Sequence, residues 1–183
     1  MQKTQLHKNF NTGDYKIGAS GIKQLLWYFT SRLFFRSGLV PISSILVLLL
    51  RLFGSKIGRE VRIKPGIHIK YPWRLQIGNY SWLAECYIEN LDFVIIGENC
   101  CVSQQAVLMT GNHNFKKTTF DLVIKPIILE DGAWIGSSAK VGPGVTVKSH
   151  AVLTIGSVAT KDLPAYGIYQ GNPANFVKDR VVS

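Results

Sequence analysis

Residues 129–160 read LEDGAWIGSSAKVGPGVTVKSHAVLTIGSVAT, and Leu129, Ile135, Val141, Val147, Leu153 and Ala159 recur in it every six positions. Four places after each stand Ala133, Ala139, Val145, Ala151, Ser157 and Leu163, all but the last small or β-branched. Gly136 and Gly142 directly follow two of the aliphatics. Ordinary alternating strands would place apolar residues at every second site, and Gly136, Ser138 and Lys140 break that pattern. A period of six has another cause. Three short strands meeting at tight corners make a triangular coil. One residue per strand points inward and must be aliphatic; a second, near the corner, must be small because the prism is narrow. Coils stack at ~4.8 Å, so like residues sit over like residues.

The same register appears upstream in Ile57-Gly58, Ile63 and Ile69, in Ile77-Gly78 and Leu83, and in Ile96-Gly97, Val102 and Leu108. The gaps between these blocks are not multiples of six, so the turns there carry insertions. The chain therefore reads as an all-β solenoid, a parallel β-helix of hexapeptide repeats over residues 56–163. The repeat lapses between Leu108 and Leu129, and a loop over 112–126 is expected to leave the coil. Residues 164–183, with Pro164 and Pro173, form a short C-terminal extension that can cover one open end of the solenoid.

Residues 1–55 form a tail and a helical cap. Ile22, Leu25, Leu26, Phe29 and Leu33 share a helical face; Gly38 and Pro41 interrupt it. A second helix carries Ile42, Ile45, Leu46, Leu49, Leu52 and Phe53, and Gly54 stops it. An amphipathic helix ordinarily turns its apolar face to its own core, so these helices are expected to cap the coil. The alternative is peripheral contact of residues 22–53 with an anionic membrane, since Lys23, Arg32, Arg36 and Arg51 decorate them. The run Ile45 to Leu50 is short of the ~20 residues a spanning helix needs.

The chain of 183 residues is 46% apolar and 17% charged, enough for a packed core, and its formal charge is +10. Such a balance suits an anionic partner: nucleic acid, a membrane surface or a phosphorylated cofactor. No zinc-finger, RNA-binding or basic-heptad spacing accompanies it, so nucleic acid is not expected. Three cysteines, an odd number, follow a polar start without an apolar leader. A reducing, cytoplasmic setting is expected, at the inner face of the membrane if the helices touch it. Cys100, four places after Ile96, holds a small-residue packing site, and no base neighbours Cys86.

Chemistry belongs in the break of the repeat, TGNHNFKKTTFDLVIKP (110–126), because an irregular loop on a rigid scaffold is a usual place for it. His113 is the only histidine there, and imidazole is the side-chain type that exchanges protons near neutrality. His7 lies in the polar tail, and His68 and His150 lie inside repeat blocks and are expected to face outward.

The repeat, the TGNH loop and the strings DGAWIGSSAKVGPGVTV and GSVATKDLPAYGIYQGNPA together resemble the hexapeptide-repeat O-acetyltransferases, which include galactoside and maltose acetyltransferases. The N-terminal strings LWYFTSRLFFRSGLVP, LLLRLFGSKIG and IKPGIHIKYPW are most similar to the colanic-acid-type members. The resemblance covers about 57–178. It implies a left-handed coil and a homotrimer with active sites at subunit boundaries. It implies direct transfer of an acetyl group from acetyl-CoA to a sugar or glycan hydroxyl, with no metal and no acyl-enzyme, in exopolysaccharide or surface-glycan synthesis. It makes His113 the general base. It places Trp134 and Ser137 by the thioester end of the pantetheine arm, Ile155 along it, Thr160 and Lys161 at the nucleotide end, and Lys178 at a CoA phosphate. The family's acceptor-binding asparagine is missing from LAECYIENLDF; Glu85 lies nearest its place and Asn90 slightly later, and these are the expected acceptor residues. Tyr71, Trp73 and Trp82 stack on a sugar or line a subunit interface. Other readings are transfer to an antibiotic or other small alcohol, a zinc-dependent γ-type carbonic anhydrase of the same fold, and a non-catalytic trimeric scaffold.

Overall fold

The computed structural model describes residues 3–6, 8 and 11–182; His7 lies outside the described residues. From Lys56 the chain winds as a three-sided parallel coil. The first turn holds β1 (Lys56–Ile57), β2 (Arg62–Ile63) and β3 (His68–Ile69). The second holds β4 (Leu75–Ile77), β5 (Trp82–Leu83) and β6 (Tyr87–Glu89); the third, β7 (Val94–Ile96), β8 (Cys101–Val102) and β9 (Val107–Met109). After an excursion through β10 (Gly111–His113) and β11 (Leu122–Ile124), β12 (Ile127–Leu129), β13 (Trp134–Ile135) and β14 (Lys140–Val141) make the fourth. The fifth is β15 (Thr146–Val147), β16 (Val152–Leu153) and β17 (Val158–Ala159). The first side of the prism is β1-β4-β7-β12-β15 and the third is β3-β6-β9-β14-β17. The second side continues further, from β2 through β16 to β18 (Gly167–Gly171), with β19 (Ala174–Asp179) folded back antiparallel on β18.

The predicted inward positions fill the prism. Ile63, Ile69, Ile77, Leu83, Ile96, Val102, Leu108 and the six aliphatics from Leu129 to Ala159 are buried, and so are the small-site residues Ala133, Ala139, Val145, Ala151 and Ser157. Cys100 packs at its small site and donates its thiol to the Glu130 carbonyl at 3.1 Å; burial pushes that thiol up to about 11. Cys86 is likewise buried, which raises its thiol to about 12. Ile88 is a further inward residue, reached by a five-residue step from Leu83 that a strict period of six passes over.

Two kinds of corner close the coil. Gly132, Ser138, Gly144, His150 and Gly156, again six apart, all take positive φ. The glycines that follow inward aliphatics serve close stacking instead. A Cβ on Gly136 would stand 2.7 Å from the Ile155 amide nitrogen, and one on Gly78 would stand 2.6 Å from the Gly97 carbonyl carbon. At Gly142 the nearest atom, the Ala159 carbonyl oxygen, is 3.4 Å away.

Two helices, α1 (Gly21–Thr30) and α2 (Ser43–Leu52), cover the first coil, with a π-helical turn, Ser31–Arg36, extending α1. Ser20 caps α1 through its hydroxyl. The Trp27 indole donates to the Ile69 carbonyl at 3.1 Å, and Trp27 packs between Phe35 and Phe53 with ring centroids 5.2 and 5.1 Å away. Phe35, Leu46, Val47 and Leu50 complete the contact. The expected cap is thus present, but α1 is turned over. The face expected to meet the coil (Ile22, Leu25, Leu26, Phe29 and Leu33) is 57–75% exposed, and Trp27 with Phe35 is buried in its place. The reason is size: two large rings, Trp27 and Phe35, pack with Phe53 against the first coil more completely than four aliphatics and Phe29 spread along about three turns.

Gly136→Ala is expected to lower stability by about 1–3 kcal/mol, because backbone rather than a yielding side chain meets the new methyl. Gly142→Ala is expected to stay within about 0.5 kcal/mol of wild type. Chemical denaturation of the two variants checks the contrast.

Candidate functional site

The excursion after β9 is a hairpin rather than the irregular loop expected: β10 and β11 pair antiparallel, with His113 opposite Leu122. Leu122, Val123 and Ile124 are strand formers, and they give the returning arm a partner for Gly111–His113. Asp121 ties the tip, accepting from Lys117 Nζ at 2.8 Å and Thr119 Oγ1 at 2.7 Å. Those hydrogen bonds hold its carboxyl below the ordinary value. The N-terminal tail crosses the same hairpin: the Gln5 amide donates to the Thr118 carbonyl, and the Leu122 amide to the Asn11 carbonyl.

Within this frame the His113 ring stacks on Phe120, centroids 4.5 Å apart and planes within 9°. Its Nδ1 lies 2.8 Å from the Phe120 carbonyl oxygen. A carbonyl only accepts, so Nδ1 carries the proton, and a neutral ring then holds its lone pair on Nε2. Phe120 adopts φ 51°, the left-handed conformation of a tight turn.

The outer face of the second side forms a second feature. Register places Arg62, Trp82, Cys101, Trp134, Val152, Ile168 and Lys178 in one column across seven strands. Trp82 and Trp134 stand exposed on it, and the Trp134 indole donates to Ser103 Oγ at 3.0 Å. Ser137 lies at the next corner, its hydroxyl donating to Gln104 Oε1 at 3.4 Å and its carbonyl accepting from the Gly156 amide. Ile155, 73% exposed, is stacked one coil above it. Lys178 shares the column of Trp134 at three strand steps, ~14 Å. Thr160 and Lys161 follow β17 at another corner, the one from which the His113 hairpin leaves, and both are exposed.

The structure therefore joins Trp134, Ser137, Ile155 and Lys178 along one face and its edge, and sets His113 elsewhere. Within one chain the third side separates the hairpin from Ser137, a span of at most ~20 Å for six residues. Glu85 is exposed at the Ser137 corner. Asn90, the other expected acceptor residue, lies at the corner that closes the second turn. It is wholly buried, its Oδ1 accepts from the Tyr71 amide at 2.9 Å, and its Nδ2 donates to the Tyr71 carbonyl at 2.7 Å. It braces the corner below the hairpin. Trp73 is occupied too, donating to the Ile17 carbonyl at 2.8 Å, while Trp82 stays exposed. His68 stacks on Tyr87 and His150 on Tyr166, so the three described histidines sit on three separate aromatic partners.

One cluster escaped the sequence reading. Glu89 accepts from Lys70 Nζ and, at 2.9 Å, from the Tyr87 hydroxyl, with His68 Nε2 3.8 Å away. Burial pushes its carboxyl up, but the nearby His68 ring, the hydrogen bonds from Lys70 and Tyr87 and the Lys70 charge outweigh it and hold it at about 2. His68 and Lys70 border a cavity of about 520 Å³ beneath α1, with Trp27, Arg32, Arg36 and Tyr71 also lining it. The signal was available, since these residues flank inward Ile69 and Ile88 in strict alternation, but the short step to Ile88 hid the register. A carboxyl depressed on folding contributes stability above its ordinary value of 4.5, lost as pH falls toward about 2. Wild type should lose stability across that window, and Glu89→Gln should lose less; denaturation at stepped pH reads both.

No family model matches the chain. Over 90% of its length it is 34% identical to the "Putative colanic acid biosynthesis acetyltransferase WcaF" of Escherichia coli (strain K12), covering 91% of that protein. Its fold superposes on a galactoside acetyltransferase solved in complex with coenzyme A, with TM-score 0.79 and 22% identity, over 90% of this chain and 84% of the other. It superposes equally on the hexapeptide-repeat-containing acetyltransferase VCA0836 of Vibrio cholerae O1 biovar eltor complexed with acetyl-CoA, with TM-score 0.78 and 23% identity over 90% and 92%. A coil of hexapeptides, a hairpin bearing a histidine and this degree of identity to a curated acetyltransferase lead to one assignment: the chain belongs to the hexapeptide-repeat acetyltransferase family.

Proposed function

We propose that the protein transfers an acetyl group from acetyl-CoA to a hydroxyl of a sugar or glycan acceptor during synthesis of a surface polysaccharide. The observation that carries this reading is the Nδ1 contact of His113 with the Phe120 carbonyl, which leaves Nε2 as the basic atom. A sugar hydroxyl is a weak nucleophile at neutral pH. Nε2 takes its proton as the oxygen attacks the thioester carbonyl, and the imidazolium returns that proton to the departing CoA sulfur. The Phe120 carbonyl, accepting from Nδ1–H, stabilises the positive ring in between. Support also comes from the relatives, since the names of two mark them as acting on carbohydrate material and two solved structures hold coenzyme A or acetyl-CoA.

In this reading the pantetheine arm runs beside the column of Trp134, with Ser137 and Ile155 along its edge and Lys178 toward the phosphates. Thr160 and Lys161 reach the nucleotide end from the adjoining corner. Because His113 rises from a different corner, the complete site needs the hairpin of a neighbouring copy, and the protein acts as a homotrimer. Glu85, at the Ser137 corner, is the acceptor-facing group.

His113→Ala should lower kcat by ~10²–10⁴-fold while acetyl-CoA binding and oligomeric mass stay unchanged. Near-full turnover would remove His113 as the base. Trp134→Ala should raise KM for acetyl-CoA about tenfold with kcat little changed. Mass spectrometry of nucleotide- and lipid-linked glycans incubated with acetyl-CoA tests the acceptor class; acetylation of chloramphenicol-like alcohols alone would replace it.

A further inference from the structure

We propose that the outer faces of α1 and α2 dock on the surface of an anionic lipid bilayer. This inference stands apart from the acetyl-transfer reading. It starts from the turned-over helix. Ile22, Leu25, Leu26, Phe29 and Leu33 recur with helical spacing on the exposed side of α1 and its extension, each at least 57% exposed. The second helix repeats the arrangement: Leu46, Val47 and Leu50 are buried on the coil, while Ile42, Leu48 and Leu52 are 52–70% exposed. Leu39, between the helices, is 73% exposed. Two consecutive helices thus each bury one face against the coil and leave a second apolar face uncovered, which is more than scattered surface leucines produce.

Charge selects the occupant. Residues 15–59 contain Lys16, Lys23, Arg32, Arg36, Arg51, Lys56 and Arg59 and not one aspartate or glutamate. Arg32 and Arg36 are exposed beside the α1 stripe, and Arg32 lies over the Tyr28 ring, 4.6 Å from its centroid. An apolar stripe flanked by cations is the pattern of a helix lying in a headgroup layer. A second copy of this face would bring the same cations against it with no acidic residue to meet them. Neither helix is long and apolar enough to cross a membrane, and at ten residues each measures ~15 Å, so the contact is peripheral.

The test is co-sedimentation of the full chain with vesicles of phosphatidylcholine alone and of phosphatidylcholine mixed with phosphatidylglycerol. Wild type should pellet with the mixed vesicles and remain in solution with the neutral ones. The double variant Leu25→Glu, Phe29→Glu should stay in solution with both at unchanged melting temperature, since neither residue supports the coil. Leu25→Ser with Phe29→Ser gives the same reading if the acidic pair unfolds. Arg32→Gln with Arg36→Gln should weaken binding about fivefold per cation removed. Equal behaviour with both vesicle types, or pelleting of the Leu25/Phe29 variants like wild type, would overturn the proposal. So would a fall in their oligomeric mass by sedimentation velocity, which would give the face to a second copy.

Discussion

The width of the prism governs this molecule. Three strands of two or three residues enclose an interior that admits one or two aliphatic side chains per side per turn, two on the first side at Leu75 and Ile77, Val94 and Ile96, and Ile127 and Leu129, and backbone lies against backbone at the corners. That closeness explains why Gly78 and Gly136 have no room for a methyl and why corner residues six apart adopt left-handed φ. It also explains why the small-site residues that are not alanine are as small as Cys100 and Ser157, whose thiol and hydroxyl are used in hydrogen bonds to Glu130 and Gly171. With the interior so tightly specified, the outer faces can carry aromatic and charged side chains. Trp82, Trp134 and Lys178 can form a column on one face, and Glu89 can gather His68, Lys70 and Tyr87 on another.

Rigidity is passed from the coil to the hairpin. Asn90 clamps the corner of the second turn through both ends of its amide, and Thr110 Oγ1 accepts from the Asp92 amide and donates to the Glu89 carbonyl directly below the excursion. Above that base, strand pairing, the Asp121 clip and the crossing tail define the path of residues 111–124, which would otherwise be free. The Phe120 carbonyl and the Phe120 ring both hold the imidazole there.

The N-terminal helices obey a different balance. Their inner faces use a few large rings and leucines to dock on the first coil. Their outer faces stay apolar although they meet solvent in the isolated chain. An exposed apolar stripe flanked by Arg32 and Arg36 makes sense for a surface that works at a boundary, whereas a plain structural cap would be expected to turn polar outward.

Much of this was legible before any coordinates. The period of six specified the solenoid, its inward residues and its small corner sites, because narrowness acts position by position on the sequence. The lapse of that period located the hairpin and His113, and the strings around Trp134 and Ser137 located one face. What only the tertiary structure decided are relations between residues distant in the chain: that the excursion pairs with itself, that Phe120 folds back to orient His113, that Asn90 is an internal brace, that Glu89 gathers three partners, and that α1 presents its larger apolar face outward. Periodicity tells which residues share a face. It does not tell which of two apolar faces a neighbouring surface of a given width will accept, and that is settled by the fit of side-chain volumes in three dimensions.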